Sequence, residues 1–191
     1  MSAVATAQKL LGRMNDLEHQ TVEKEFIGVL YGGKGTRKTT TAMGIAQAIR
    51  GDGEILFVDS ADGWVSLERF KGLKKNTQRI RVDDPRELMV LSKALRTRAK
   101  GYEDFTVVVL DEYSSWWTDT LHAYAYERAG LNPDVDELPE IDWTGYGPPQ
   151  QAMINVFKNF HKTPGLHVIV VAHEQARAIK GESSADRATP L

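Results

Sequence analysis

The sequence contains no cysteine. That excludes a disulfide framework, a thiol nucleophile and any thiolate-ligated zinc or iron–sulfur centre. Long apolar runs are also missing. The best of them, residues 107–110 and 168–172, fall far short of the roughly 20 residues that a membrane-spanning helix needs. The N-terminal stretch scatters Lys9 and Arg13 among polar residues and has no apolar core of the signal-peptide kind. A cytoplasmic, membrane-free chain is expected. The five histidines (His19, His122, His161, His167 and His173) show no H-x-x-x-H spacing, which argues against zinc. Excess charge of either sign is lacking too. A formal net charge of -2 gives no bulk signal for nucleic acid, although a local basic patch can act on a near-neutral protein.

What is present is ordinary globular usage: 191 residues, 41% hydrophobic and 26% charged, enough for one domain over residues 1–191 with a full core. Residues 2–22 read as an N-terminal helix. Residues 26–31 form an apolar run ending at a glycine cluster, predicted as a buried strand. A helix follows through Arg50, with Ala42, Ile45, Ala46 and Ile49 on one face, and Gly51 and Gly53 stop it. Residues 55–58 give a second strand ending on Asp59, and residues 79–82 a short third. Asp84 is placed as an N-cap with Pro85 at the first helical position, and Leu88, Leu91 and Leu95 mark the helix face. A β-branched strand at 105–110, a helix through Tyr126, a polar loop over 131–147, a helix at 150–161 and a strand at 167–172 complete the pattern. Residues 175–191 read as a mobile loop or tail. The alternation predicts a three-layer α/β fold: a mainly parallel sheet covered by helices on both faces, with ligands at the carboxyl ends of the strands.

The chemistry concentrates at those ends. Gly32-Gly33-Lys34-Gly35-Thr36-Arg37-Lys38-Thr39, followed by Thr40, approaches the pattern G-x-x-x-x-G-K-[ST] between a strand and a helix. Unpaired N–H groups at a helix start, aided by the helix dipole, cradle phosphate. Lys38 would reach the β- and γ-phosphates of ATP, and the Thr39 hydroxyl would ligate Mg2+. The second glycine of the pattern is replaced by Arg37. A non-glycine residue at positive φ costs about 1–2 kcal/mol, and Arg37 either distorts the cradle or adds a cation beside the phosphates. The competing reading is a glycine-rich turn with a solvated lysine.

Val107-Val108-Val109-Leu110-Asp111-Glu112 has the form of a Walker B strand. Asp111 would hold Mg2+, and Glu112 would polarise an attacking water. Asp59 and Asp62, on the turn after the second strand, compete for the same tasks, and plain turn chemistry accounts for them equally well. His173, ending the last apolar strand, is a candidate γ-phosphate sensor; an ordinary strand-end histidine is the alternative.

In this order and spacing, the loop through Thr41, the strand ending at Asp59 with Gly63-Trp64-Val65-Ser66-Leu67, the strand through Glu112 and the strand through Glu174 resemble the phage-type AAA/RecA-like P-loop ATPases. That group includes the single-strand-annealing recombination ATPases of bacteriophages. The resemblance covers residues 24–180. It implies a RecA-like core, ATP with Mg2+, action on DNA in phage recombination or replication in the host cytoplasm, and assembly into a ring or filament on single-stranded DNA. It assigns phosphate and Mg2+ binding to Lys38 and Thr39, the Walker B acid to Asp111 and the sensor to His173. In RecA the water-activating glutamate lies two residues after the Asp of the second strand. That position here is Ala61, so Asp62 or Glu112 replaces it, or hydrolysis is weak. RecA-like cores also continue with further strands past the sensor, whereas this sequence stops at Leu191, as expected of a minimal or truncated core.

DNA contact would fall to two basic stretches, Lys71, Lys74, Lys75, Arg79 and Arg81 and then Arg96, Arg98 and Lys100, or to stacking on Trp116, Trp117 and Tyr124. Solvated faces and core packing compete with both, and Arg177 and Lys180 in the tail are further candidates. Two other functions remain open: a small-molecule (nucleotide) kinase, and a degenerate P-loop scaffold without hydrolysis, supported by Arg37 and Ala61.

Overall fold

A computed structural model describes residues 25–60, 62–140 and 143–173. The expected helix over 2–22, Ala61, Glu174 and the 175–191 tail with Arg177 and Lys180 lie outside the described residues. Five strands are formed: β1 (Ile27–Gly32), β2 (Glu54–Asp59), β3 (Thr77–Arg81), β4 (Phe105–Asp111) and β5 (His167–His173). They make one parallel sheet in the order β1-β5-β4-β2-β3. The helices are α1 (Lys38–Ile49), α2 (Gly63–Ser66), α3 (Pro85–Arg96), α4 (Tyr113–Ala129) and α5 (Gly147–His161), with 3-10 turns at Lys71–Lys74 and Trp143–Tyr146.

The period-two alternation of the strands sends neighbouring side chains to opposite faces. Ile55, Phe57, Val107, Val109, Ile169 and Val171 pack with Ala42, Met43 and Ala46 of α1 and with Leu67. Leu56, Val58, Val108, Leu110, Val168 and Val170 pack on the other face with Leu88, Leu91 and Leu95 of α3, Trp116 of α4, and Met153, Val156 and Phe160 of α5. This is the expected three-layer α/β architecture. Asp84 caps α3, its carboxylate accepting the Arg86 N–H at 2.8 Å, with Pro85 at the helix start. Trp116, fully buried, donates its indole N–H to the Val82 carbonyl at 3.0 Å.

One expectation is corrected. Residues 26–31 do not form a strand buried on both sides. Among the described residues β1 pairs with β5 alone, and Ile27, Val29 and Tyr31 are 47%, 63% and 66% exposed on the α5 face. In the sheet β5 runs between β1 and β4. No helix among the described residues is long and apolar enough to cross a membrane.

Phe57 sits wholly buried at the centre of the α1-side core, its ring 5.4 Å from that of Trp64. Phe57→Ala is expected to lower the unfolding free energy by about 3–5 kcal/mol, measured by urea titration.

Candidate nucleotide site

The carboxyl end of β5, the phosphate loop with the start of α1, and α2 with the segment after it line one cavity of about 620 Å³. Its lining includes Gly35 through Thr40, Val65, Ser66, Glu68, Arg69, Phe70 and His173. The loop between β1 and α1 turns because Arg37 takes the left-handed conformation, φ 62°, at the N-cap of α1. The position that glycine fills in the general pattern is therefore occupied by an arginine bearing the strain of that turn, and its side chain opens onto the cavity.

Lys38, only 8% exposed, donates to the carbonyls of Gly32 and Gly33, both at 2.7 Å. An ammonium has three donors, so the loop's own backbone fixes the side chain and leaves one N–H for a ligand. The Thr39 hydroxyl lies 3.0 and 3.2 Å from the two Asp111 carboxylate oxygens. The helix start is thus tied to the end of β4, on which α1 packs. The carboxyl of Asp111 is pushed up to about 6. Burial is the main cause, and the charges of Asp59 and Glu112 add to it against the opposing effects of the Thr39 hydrogen bond and Lys38. A buried carboxylate facing a hydroxyl is a hard-oxygen donor pair in need of a cation, which suits Mg2+. Ser60, whose N–H donates to the Asp111 carbonyl at 3.0 Å, has a buried hydroxyl with no partner among the described residues. Such an orphan group is the kind that a hydrated ion satisfies. The fit is close-walled: a methyl on Gly63 would run into the Asp111 carboxylate.

The remaining acids divide by partner. Asp59, wholly buried, accepts from the Gly63 and Trp64 N–H groups at 3.0 and 3.3 Å and pairs with the Arg79 guanidinium at 2.7 Å. It organises the β2–α2 turn. Asp62 is bound by Arg79 at 3.2 Å and Arg81 at 2.9 Å. Its carboxylate is thereby drawn toward β3, at the sheet edge remote from β1, and it is not among the residues lining the cavity. Glu112 sits 3.2 Å from His173 Nε2. The Ser114 hydroxyl accepts the His173 N–H at 2.9 Å and lies 3.1 Å from its carbonyl, so the start of α4 is pinned to the end of β5.

Several candidate DNA contacts turn inward. Arg79 and Arg81 hold Asp59, Asp62 and Asp83. Arg96 donates to Asn159, and Arg98 donates to the carbonyls of Glu103, Phe105 and Pro164. Lys74 lies 4.5 Å over the Trp64 ring, and Trp116 is core. Glu68, Arg69 and Phe70 are the part of the site's lining that the motifs did not mark. The spacing of Trp64 and Leu67, which turns the next residue outward, was their one legible sign.

A phosphate-type loop between the first strand and the first helix of a parallel three-layer sheet defines the P-loop nucleotide-binding class. A family model described as an AAA domain matches residues 24–190, and the chain belongs to that family of P-loop ATPases. Among solved structures, the ATP synthase subunit NeqB of Nanoarcheaum equitans is similar at a TM-score of 0.49 and 16% identity, over 80% of this chain and 40% of that one. No match is found among curated proteins.

Because the folded pKa of Asp111 is raised, the folded state holds its proton more tightly, and the contribution of this group to stability falls as pH rises from about 4 through about 6. Asp111→Asn removes that titration. In protein free of metal and nucleotide, the variant should gain up to about 3 kcal/mol on wild type between pH 4 and pH 7.5, read by urea unfolding at both pH values. Arg37→Gly relieves the left-handed strain at the price of unfolded-state entropy. It should raise the unfolding free energy by up to about 1 kcal/mol, whereas a loss would mean that the guanidinium makes stabilising contacts in the loop.

Proposed function

We propose that this AAA-family domain binds and hydrolyses ATP in a Mg2+-dependent reaction, serving phage-type DNA recombination or replication in the cytoplasm. The observation that carries the reading is the contact of Asp111 with Thr39, which lines the cavity with Lys38 beside it. Thr39 and Asp111 would hold the ion. Bound Mg2+ neutralises phosphate charge and draws electron density from the γ-phosphoryl group.

The chain's own groups supply the rest. The N–H groups from Gly33 to Thr40 receive the phosphate oxygens at the positive end of α1. Lys38 offers its remaining donor to the β- and γ-phosphates. Arg37 brings a second cation to the cavity wall, where it compensates for the missing glycine by charge. His173 and Glu112, held together at 3.2 Å, form a pair at the end of the sensor strand. A γ-phosphate that attracts His173 alters that pair and, through Ser114, the start of α4.

Single-stranded DNA is the proposed partner, with assembly into a ring or filament along it. Support comes from the exposed Lys71 and Lys75, which continue from Arg69 and Phe70 on the cavity wall. Cations beside an exposed aromatic ring suit a single strand, with phosphates on the lysines and a base on Phe70.

The test is steady-state phosphate release from Mg·ATP with and without single-stranded DNA, for wild type and Lys38→Ala. Wild type is expected to release phosphate, faster with DNA, and the variant to lose at least 100-fold of the rate. Transfer of phosphate to a nucleoside monophosphate would favour a kinase. Absence of both activities, with a melting temperature insensitive to Mg·ATP, would favour a scaffold.

A further inference from the structure

We infer that Glu68, a residue in no recognised motif, is the general base that activates the attacking water; this rests on the ATPase reading above. Three carboxylates compete for that task besides Asp111, whose oxygens face Thr39, and Asp59, which is buried against the Gly63 and Trp64 N–H groups and Arg79. Asp62 is held by two guanidinium groups, which stabilise its anion and weaken it as a base. Glu112 is paired with His173. Glu68 lines the same cavity as Lys38 and Thr39 and has no side-chain partner among the described residues. A base must be near the water and free to accept a proton, and Glu68 is the carboxylate of the three that meets both conditions.

Its position is fixed by its neighbours. Leu67, wholly buried in the α1-side core, anchors the residue before it. Asp59 receives the N–H groups of Gly63 and Trp64, and the Ser66 hydroxyl donates to the Gly63 carbonyl at 2.6 Å. Trp64 is clamped between Phe57 and Lys74. The turn that presents Glu68 is therefore held by a buried leucine, a buried carboxylate and an indole packed on Phe57, while the glutamate itself stays exposed. Asp59 contributes as a positioning residue for this wall.

In the reaction, the water oxygen forms a bond to the γ-phosphorus as its proton passes to the Glu68 carboxylate. The bond from the γ-phosphorus to the β,γ-bridging oxygen breaks, and its electron pair leaves with ADP. Glu68 then returns the proton to solvent as phosphate departs, so no other reactant is needed.

The experiment compares wild type, Glu68→Gln and Glu68→Asp by phosphate release under saturating Mg·ATP and by equilibrium binding of a fluorescent ATP analogue. Glu68→Gln is expected to lose 100-fold or more in kcat, with the binding constant within about threefold of wild type, taking near-equal nucleotide contacts as the basis. Glu68→Asp should keep a partial rate. A Glu68→Gln enzyme within a few fold of the wild-type kcat would overturn the assignment, as would equal losses in binding and rate. A wild type that binds the analogue without releasing phosphate would overturn this assignment together with the ATPase reading. Wild-type activity lost only in Glu112→Gln would leave the ATPase reading standing and transfer the role to Glu112.

Discussion

The contact between the Thr39 hydroxyl and the Asp111 carboxylate is what the rest of the site depends on. It joins the first turn of α1 to the end of β4, a strand on which that helix packs but which is separated in the sheet from the strand that leads into it. Burying a carboxylate without a full ionic partner is unfavourable, and the raised pKa of Asp111 expresses that cost. The surrounding structure sustains it through two packed cores, one on each face of the sheet. A cation beside that carboxylate would offset the penalty.

Around that contact the charges are segregated. The acids toward β3 are neutralised by Arg79 and Arg81, so they shape the β2–α2 turn and leave the potential of the cavity to the P-loop cations. Lys34, Arg37, Lys38 and Arg69 lie on or beside the loop and its opposing wall. A near-neutral protein thereby presents a locally cationic pocket suited to a polyphosphate. Net charge alone could not have revealed this, because the cancellation occurs between β2 and β3 and not across the cavity.

The fold and the phosphate loop were largely legible in the sequence, because each rests on local signals. Alternating apolar runs and amphipathic helices dictate a covered parallel sheet, and Gly32, Lys38 and Thr39 sit between a strand and a helix. The αL turn at Arg37 was legible as a departure from the pattern, and its conformation follows from the loop geometry. What was not legible depends on long-range pairing. An apolar run such as residues 26–31 reads the same whether one or both of its sides are covered, so the edge position of β1 was hidden. Arg79 and Arg81 looked like a surface stripe because their partners lie some twenty residues away, on the β2–α2 turn. Glu68 has no motif around it, and its place on the cavity follows from the burial of Leu67.

The one-sided pairing of β1 has a mechanical meaning. The phosphate loop hangs from a strand whose ladder, among the described residues, runs to β5 alone, while β4 is laced on both sides. Separating such a strand breaks one set of backbone hydrogen bonds instead of two, so its amides belong to the readily opened part of the sheet. A nucleotide held by the loop would load this singly paired strand directly. Occupancy of the cavity would then be felt as slower hydrogen exchange along β1, well below the phosphates themselves.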